Sequence, residues 1–144
     1  MVAPEIIKRY VETGKVKLVW HDFAWIGSES RQSAQAARCA GRQGKFWEYH
    51  DHLFSNQRGE NRGQFAPENL KRFVADIGLD SAAFGSCLDR AEDIPAIQQD
   101  LTTARTEGIT ATPSFKVNGQ RLVGARTVDA FVQAIDAELA KIGR

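Results

Sequence analysis

The chain has 144 residues, of which 42% are hydrophobic and 26% charged, and its 19 basic and 18 acidic residues leave a net charge of +1. This length corresponds to about one domain that can bury a core, and the composition excludes disordered, collagen-like and repeat proteins. The near-neutral charge argues against binding to nucleic acid or to an anionic membrane surface through a bulk electrostatic field.

The sequence carries no signal for export or for membrane insertion. No stretch approaches the ~18 apolar residues that a membrane span needs, and residues 1–10 lack the basic and apolar regions of a signal peptide. We therefore expect no membrane span, and the cytoplasm is the default location for the chain as written. Cysteine occurs twice, at Cys39 and Cys87, too far apart for a Cys-x-x-Cys redox pair or a zinc knuckle.

The first predicted elements are a short helix and a strand. Pro4 lies near a first helical position, and apolar residues at helical spacing predict an amphipathic helix over residues 3–13, which Gly14 ends. A β-branched and aromatic run then predicts a strand over residues 16–23.

The middle of the chain is predicted to be entirely helical, because Ala-rich and 3.6-residue patterns follow one another there with only polar or glycine-containing breaks. Asp80 is predicted to cap a helix on which Phe84, Cys87 and Leu88 face the core. The other helices of this block are predicted over residues 28–43 and 45–57, from Pro67 to Gly78, and from Ile94 to near Gly108.

The last part of the chain returns to β-structure and ends in a helix. Ser114–Asn118 is a predicted strand, Asn118-Gly119 is a strong signal for a two-residue hairpin, and Arg121–Gly124 is the predicted return strand. Thr127 is predicted to cap a long closing helix with a continuous apolar stripe.

The segment Ile109–Gly119, with the sequence ITATPSFKVNG and the continuation Leu122-Val123-Gly124, resembles the TP-x-F-x-x-NG region of thioredoxin-fold oxidoreductases, and more narrowly the DsbA family. Similar stretches follow in the family's order and cover nearly the whole length: KVKLVWHDF ending at Phe23, AARCAGRQGKFWEYHDHLF ending at Phe54, and FGSCL ending at Leu88. The resemblance implies a single α/β domain with a thioredoxin-like fold, in which residues 1–27 and 109–144 form the thioredoxin part and residues 28–108 a helical insertion.

The resemblance also implies a function and a binding site. The family exchanges disulfides with protein or peptide thiols and uses no cofactor, and the proline that matches Pro113 is cis and shapes the groove for an extended substrate. Thr112 and Pro113 are therefore expected to bind substrate, and Trp25 to border the groove. Members of the family usually act outside the cytoplasm, which conflicts with the lack of an export signal in this sequence.

One departure from the family concerns the catalytic motif. The family begins with a strand followed by Cys-x-x-Cys at the start of the first helix, where the helix dipole lowers the pKa of the first thiol. Here the sequence starts within that helix, so the first strand is expected to be missing and no catalytic residue is named. Three explanations remain open: a fragment of an ordinary oxidoreductase, a redox-inactive form that keeps the groove for peptide binding, or an oligomer paired through open strand edges. Self-association is expected in either of the first two cases as well.

The two cysteines also have a structural interpretation. The family often has cysteines at the positions of Cys39 and Cys87, which implies a structural disulfide that closes a ~48-residue loop and stabilises the chain by about 4 kcal/mol. The alternative is a pair of inert buried thiols.

Three further features of the sequence contain charged or titratable side chains. No metal is expected at His50-Asp51-His52, because residues i and i+2 of a helix point about 200° apart, and a solvated helix face is predicted instead. His21-Asp22 is predicted to be a capping or surface pair. Lys116 stands where the family usually has an apolar or aromatic residue, which favours an altered sheet.

Overall fold

The computed structural model describes residues 2–124 and 126–143. It divides into two compact units: the described residues of Met1–His21 and Glu107–Arg144 form one, and Asp22–Thr106 form the other. We call them the hairpin unit and the helical unit. None of the helices in the described part of the chain combines the length and the apolar character needed to cross a bilayer.

The hairpin unit contains a short first helix, one antiparallel hairpin and a long last helix. Asn118 and Gly119 have φ values of 46° and 97°, as a type I′ hairpin turn requires, and this confirms the predicted turn. Thr127 accepts a hydrogen bond from the N–H of Ala130 at 3.2 Å, which confirms the predicted cap. The elements are α1 (Val2–Ile6, continued by a π-helical turn, Ile7–Val11), β1 (Ser114–Val117), β2 (Gln120–Val123) and α7 (Val128–Lys141).

The core of this unit lies between the first helix, the hairpin and α7. Tyr10 packs against Phe131, Ile135 and Leu139, which recur along one face of α7 as the apolar stripe predicted. The rings of Phe115 and Phe131 meet edge to face with their centroids 4.8 Å apart. Burial therefore holds the hairpin against α7 from one side.

The predicted strand over residues 16–23 is wrong. The segment from 16 to 25 has no regular secondary structure, and within the described residues the sheet contains β1 and β2 alone. Val16 packs against the core, whereas Leu18 and Val19 are exposed. A strand needs a neighbour whose backbone groups pair with its own, and no strand of the described part of the chain takes this place.

The helical unit confirms the predicted helical block. Asp80 caps α5 by accepting a hydrogen bond from the N–H of Ala83 at 2.8 Å, and Gly78 ends α4 with a φ of 72°. The helices are α2 (Ser28–Gly41), α3 (Phe46–Asn56), α4 (Pro67–Ile77), α5 (Ser81–Arg90) and α6 (Ile94–Thr106).

The core of the helical unit is built from α2 to α5 and centres on Tyr49 and Phe84, both fully buried. Their ring centroids are 5.3 Å apart. The hydroxyl of Tyr49 donates a hydrogen bond of 2.8 Å to the carbonyl of Leu70, so the one polar atom of this side chain is satisfied inside the core.

Burial raises the pKa of the Tyr49 phenol above its ordinary value of 10.0. Above that pH the unfolded chain releases this proton while the folded chain keeps it, so the free energy of unfolding should fall as pH rises, by about 1.4 kcal/mol per pH unit. Urea unfolding of the wild type and of Tyr49→Phe on both sides of pH 10 measures the effect. The variant should be less stable at neutral pH, because it lacks the bond to Leu70, but should lose less stability above pH 10. Equal alkaline slopes for the two proteins would contradict this assignment.

Candidate functional site

The loop before β1 has the geometry that the sequence motif implied. The Thr112–Pro113 peptide bond is cis, and both residues are exposed. The carbonyl of Pro113 accepts a hydrogen bond from the N–H of Gly124 at 2.9 Å, and the hydroxyl of Ser114 donates one of 2.6 Å to the carbonyl of Ala111. The hairpin thus fixes both sides of this loop.

The backbone beside this loop is accessible. β1 pairs with β2 along one edge only, and its other edge faces no strand of the described part of the chain. Within residues 2–124 and 126–143, the N–H and carbonyl of Thr112 take part in no hydrogen bond. An extended peptide could therefore form backbone hydrogen bonds at this position.

Trp25 belongs to the helical unit, whereas Thr112 and Pro113 belong to the hairpin unit. Its side chain lies in the irregular segment before α2 and is 49% exposed. The ring meets that of Phe23 with the centroids 6.2 Å apart. An exposed indole held by a neighbouring ring is a suitable contact for an apolar side chain of a ligand.

The two cysteines lie in the core of the helical unit. Cys39 on α2 and Cys87 on α5 are 1% and 5% exposed, and their sulfurs are bonded at 2.05 Å. Each cysteine lies in the second half of its helix, far from the helix N-terminus that would stabilise a thiolate. This arrangement joins two helices and offers no accessible nucleophile.

Asp22 is neither a surface residue nor a helix cap, so the interpretation of the His21-Asp22 pair was wrong for this residue. It is 5% exposed, and its carboxylate accepts a hydrogen bond of 2.8 Å from Nε of Arg38. The other arm of Arg38 donates to Asp100 at 2.9 Å, and the N–H of Asp22 donates to the same carboxylate at 3.2 Å. The guanidinium thus joins the segment before α2 to α6.

The two histidines of the His50-Asp51-His52 sequence have different surroundings. Nδ1 of His50 lies 3.0 Å from a carboxylate oxygen of Asp51, and its ring packs on Phe54 with a centroid distance of 4.6 Å. The ring of His52 packs on Phe73 at 4.7 Å. Both imidazoles are therefore partly buried among aromatic rings, which corrects the prediction of a solvated face.

Lys116 on β1 is exposed and makes an ion pair with Glu107 at 2.8 Å. The hydrogen bond from Lys116 is the main reason that the pKa of Glu107 is lowered. Lys116 thus places a paired charge at a strand position where, by the resemblance, the family usually has an apolar or aromatic side chain.

The chain resembles a solved DsbA-like protein. The thiol-disulfide exchange protein α-DsbA2 from Wolbachia pipientis superposes with a TM-score of 0.79 and 25% sequence identity, over 93% of this chain and 72% of that one. A family model described as thioredoxin matches residues 1–137. The chain is a DsbA-like member of the thioredoxin family.

Two curated relatives of this DsbA-like chain have different names. It is 38% identical over 105 residues to the Na(+)/H(+) antiporter NhaA of Herminiimonas arsenicoxydans, a match that covers 71% of this chain and 16% of the antiporter. It is 27% identical over 144 residues to the probable disulfide bond formation protein D of Bacillus cereus, and this match covers 97% of this chain and 66% of that protein. The DsbA-like chain therefore spans a small part of the antiporter and just under two thirds of the Bacillus protein.

The resemblance found the cis-proline loop, but sequence reasoning missed two buried polar groups. The two groups are Asp22 and Gln35. Gln35 is 2% exposed and lies beside the disulfide. Both residues have partners on other elements: Gln35 donates a hydrogen bond to Asp93, and Asp22 accepts one from Arg38. Gln35 is one of two glutamines on α2, so its residue type alone does not mark it as buried.

Proposed function

We propose that this DsbA-like chain binds an extended segment of a protein substrate and that, as given, it does not itself exchange disulfides. Residues 28–108 act in this proposal as a helical insertion into a thioredoxin domain made of residues 1–27 and 109–144. The observation that carries the proposal is the exposed Thr112–Pro113 loop at the open edge of β1. The name of the Bacillus relative, a probable disulfide bond formation protein, is consistent with a protein substrate.

Binding would take place by addition of a strand. The backbone of Thr112 would pair with the N–H and carbonyl groups of the substrate, a mode that gives affinity without a required sequence. Trp25, on the other unit, is proposed as a separate contact for apolar side chains of the substrate. Both features suit an unfolded protein segment, which exposes its backbone and its apolar residues together.

The proposed lack of exchange activity is supported by the state of the thiols that the chain contains. Disulfide exchange needs an accessible thiolate that attacks a substrate sulfur and a second thiol that resolves the mixed disulfide. The sequence has no Cys-x-x-Cys, and both of its cysteines are buried and bonded to each other. This argument concerns the thiols of the chain as given, and it applies whether the chain is a fragment of a longer oxidoreductase or a redox-inactive form.

The proposal predicts binding without turnover. Reduction of insulin by dithiothreitol should proceed at the background rate with the wild type and with Cys39→Ser/Cys87→Ser. Fluorescein-labelled insulin B chain with alkylated cysteines cannot exchange disulfides, and it should nevertheless bind, as measured by fluorescence anisotropy. Trp25→Ala should weaken this binding about tenfold, a loss of about 1.4 kcal/mol.

Trp47→Ala is the matched control, because Trp47 is also an exposed tryptophan of the helical unit but lies on α3. It should leave the affinity for the B chain unchanged. Insulin reduction above background would overturn the claim of inactivity, and its loss in the serine variant would assign it to Cys39 and Cys87. No saturable binding, or equal effects of the two tryptophan variants, would overturn the binding proposal.

Self-association is a second candidate function, favoured by the exposed apolar side chains of Leu18 and Val19. They are 40% and 55% exposed and lie in a segment that forms no strand within the described residues. Such a segment can pair with another chain. Sedimentation equilibrium distinguishes the two candidate functions. A monomeric mass at high protein concentration would exclude self-association.

A further inference from the structure

The disulfide of the helical unit and a neighbouring carboxylate form a cluster of metal-binding residue types. Cys39, Cys87 and Asp93 each offer one ligand atom, and these atoms all lie within 4.8 Å of one another. Both sulfurs are buried, and the Asp93 side chain is 17% exposed. Thiolate sulfur and carboxylate oxygen are ligands of Zn²⁺, and three protein ligands with one water complete a tetrahedral site.

The residues around this cluster have the properties of an outer coordination shell. Nε2 of the buried Gln35 lies 3.4 Å from Sγ of Cys39, 4.0 Å from Sγ of Cys87 and 3.2 Å from Asp93. Oε1 of Gln35 accepts a hydrogen bond of 3.1 Å from the N–H of Asp93. One amide therefore orients all three candidate ligands, as outer-shell groups of metal sites do.

The charges of the cluster also suit a divalent cation. Two thiolates and a carboxylate carry three negative charges, of which Zn²⁺ neutralises two. Nη2 of Arg42 lies 3.0 Å from both carboxylate oxygens of Asp93 and offsets the third. Arg42 is nearly half exposed, so the side of the cluster at Asp93 lies closest to solvent.

We propose that Cys39, Cys87 and Asp93 form a binding site for a thiophilic divalent cation, such as Zn²⁺, when the disulfide between the two cysteines is reduced. A dithiol reductant transfers two electrons and two protons to the disulfide and is itself oxidised to a disulfide, which leaves two thiols. The cation then displaces one proton from each thiol as the two sulfurs bind it. In the oxidised chain the sulfurs bind each other, so the site exists in one redox state only.

Cadmium provides the test, because its bonds to thiolates absorb in the ultraviolet. The full chain is reduced with dithiothreitol, freed of reductant under nitrogen, and titrated with Cd²⁺ and then with competing Zn²⁺. The reduced wild type should bind one Cd²⁺ per chain, while the oxidised wild type and Cys39→Ser/Cys87→Ser should show no thiolate absorption. Asp93→Asn should bind at least tenfold more weakly.

Asp89→Asn is the matched control, since Asp89 is a carboxylate on α5 that pairs with Lys71 at 2.7 Å, outside the cluster. This variant should bind Cd²⁺ as the wild type does. Absence of stoichiometric binding, or equal affinities of the two asparagine variants, would overturn the proposal. If the reduced chain has lost its helical circular dichroism, Zn²⁺ should restore it in the wild type and in Asp89→Asn; failure to do so would also overturn it. The proposal is independent of substrate binding by the Thr112–Pro113 loop.

Discussion

Replacement of Cys39 and Cys87 together by alanine is expected to lower the free energy of unfolding by about 4 kcal/mol. The disulfide joins positions separated by 48 residues, and in the chain-entropy model a cross-link over such a loop restricts the unfolded state by about this amount. Domains of this size are stable by only about 5–15 kcal/mol in total. The bond between α2 and α5 should therefore decide whether the helical unit is folded at elevated temperature.

Urea unfolding followed by far-UV circular dichroism measures this loss. Reduced wild type in the absence of metal is the matched control, because it lacks the cross-link but keeps both cysteine side chains in the core. It should lose nearly as much stability as the alanine variant, and the small difference reports the volume lost at the two sites. A loss below about 1 kcal/mol in both proteins would contradict the entropic account.

The helices were predictable because their signals are local. Apolar residues at helical spacing, Asp80 and Thr127 at N-cap positions, and Gly78 at a helix end all act within a few residues of the chain. The Asn118-Gly119 turn is local in the same sense, since its positive φ values depend on those two residues. Each signal stayed valid whatever the rest of the chain did.

The strand over residues 16–23 failed because a strand is not a local property. Val16, Leu18 and Trp20 have side chains that favour extended structure, but this preference contributes little without hydrogen bonds to a neighbouring strand. The sequence pattern reports the side chains and not the presence of the neighbour. The exposed side chains of Leu18 and Val19 show the result.

The site was predictable to the extent that it lies in a motif. The Thr112–Pro113 loop was found through its resemblance to the DsbA family, and its cis bond is confirmed. Substrate binding by Thr112, Pro113 and Trp25 stays a prediction. Asp22 was not recognisable as a buried group, because its partners Arg38 and Asp100 come from two helices whose packing no periodicity predicts.

Arg38→Met is expected to lower the free energy of unfolding of the helical unit by about 2–3 kcal/mol. The substitution keeps the length of the side chain but removes the guanidinium from the buried carboxylate of Asp22, and loss of one partner of a buried pair typically costs about 3–5 kcal/mol. Arg38 and Asp100 are each about a quarter exposed, so water compensates for part of the loss. Urea unfolding again gives the value.

Arg31→Met is the matched control, because Arg31 lies on the exposed face of the same helix, and its replacement should change stability by less than about 0.5 kcal/mol. Asp22→Asn combined with Arg38→Met should cost less than the sum of the single changes, since both remove the same interaction. Strict additivity would contradict the direct pairing.

The Arg38→Met substitution should also affect peptide binding. Asp22 begins the segment that carries Trp25, so loss of its link to α2 and α6 should weaken binding of the alkylated insulin B chain. A variant that stays folded, loses the expected stability and binds this peptide normally would show that Trp25 does not depend on Asp22 for its position.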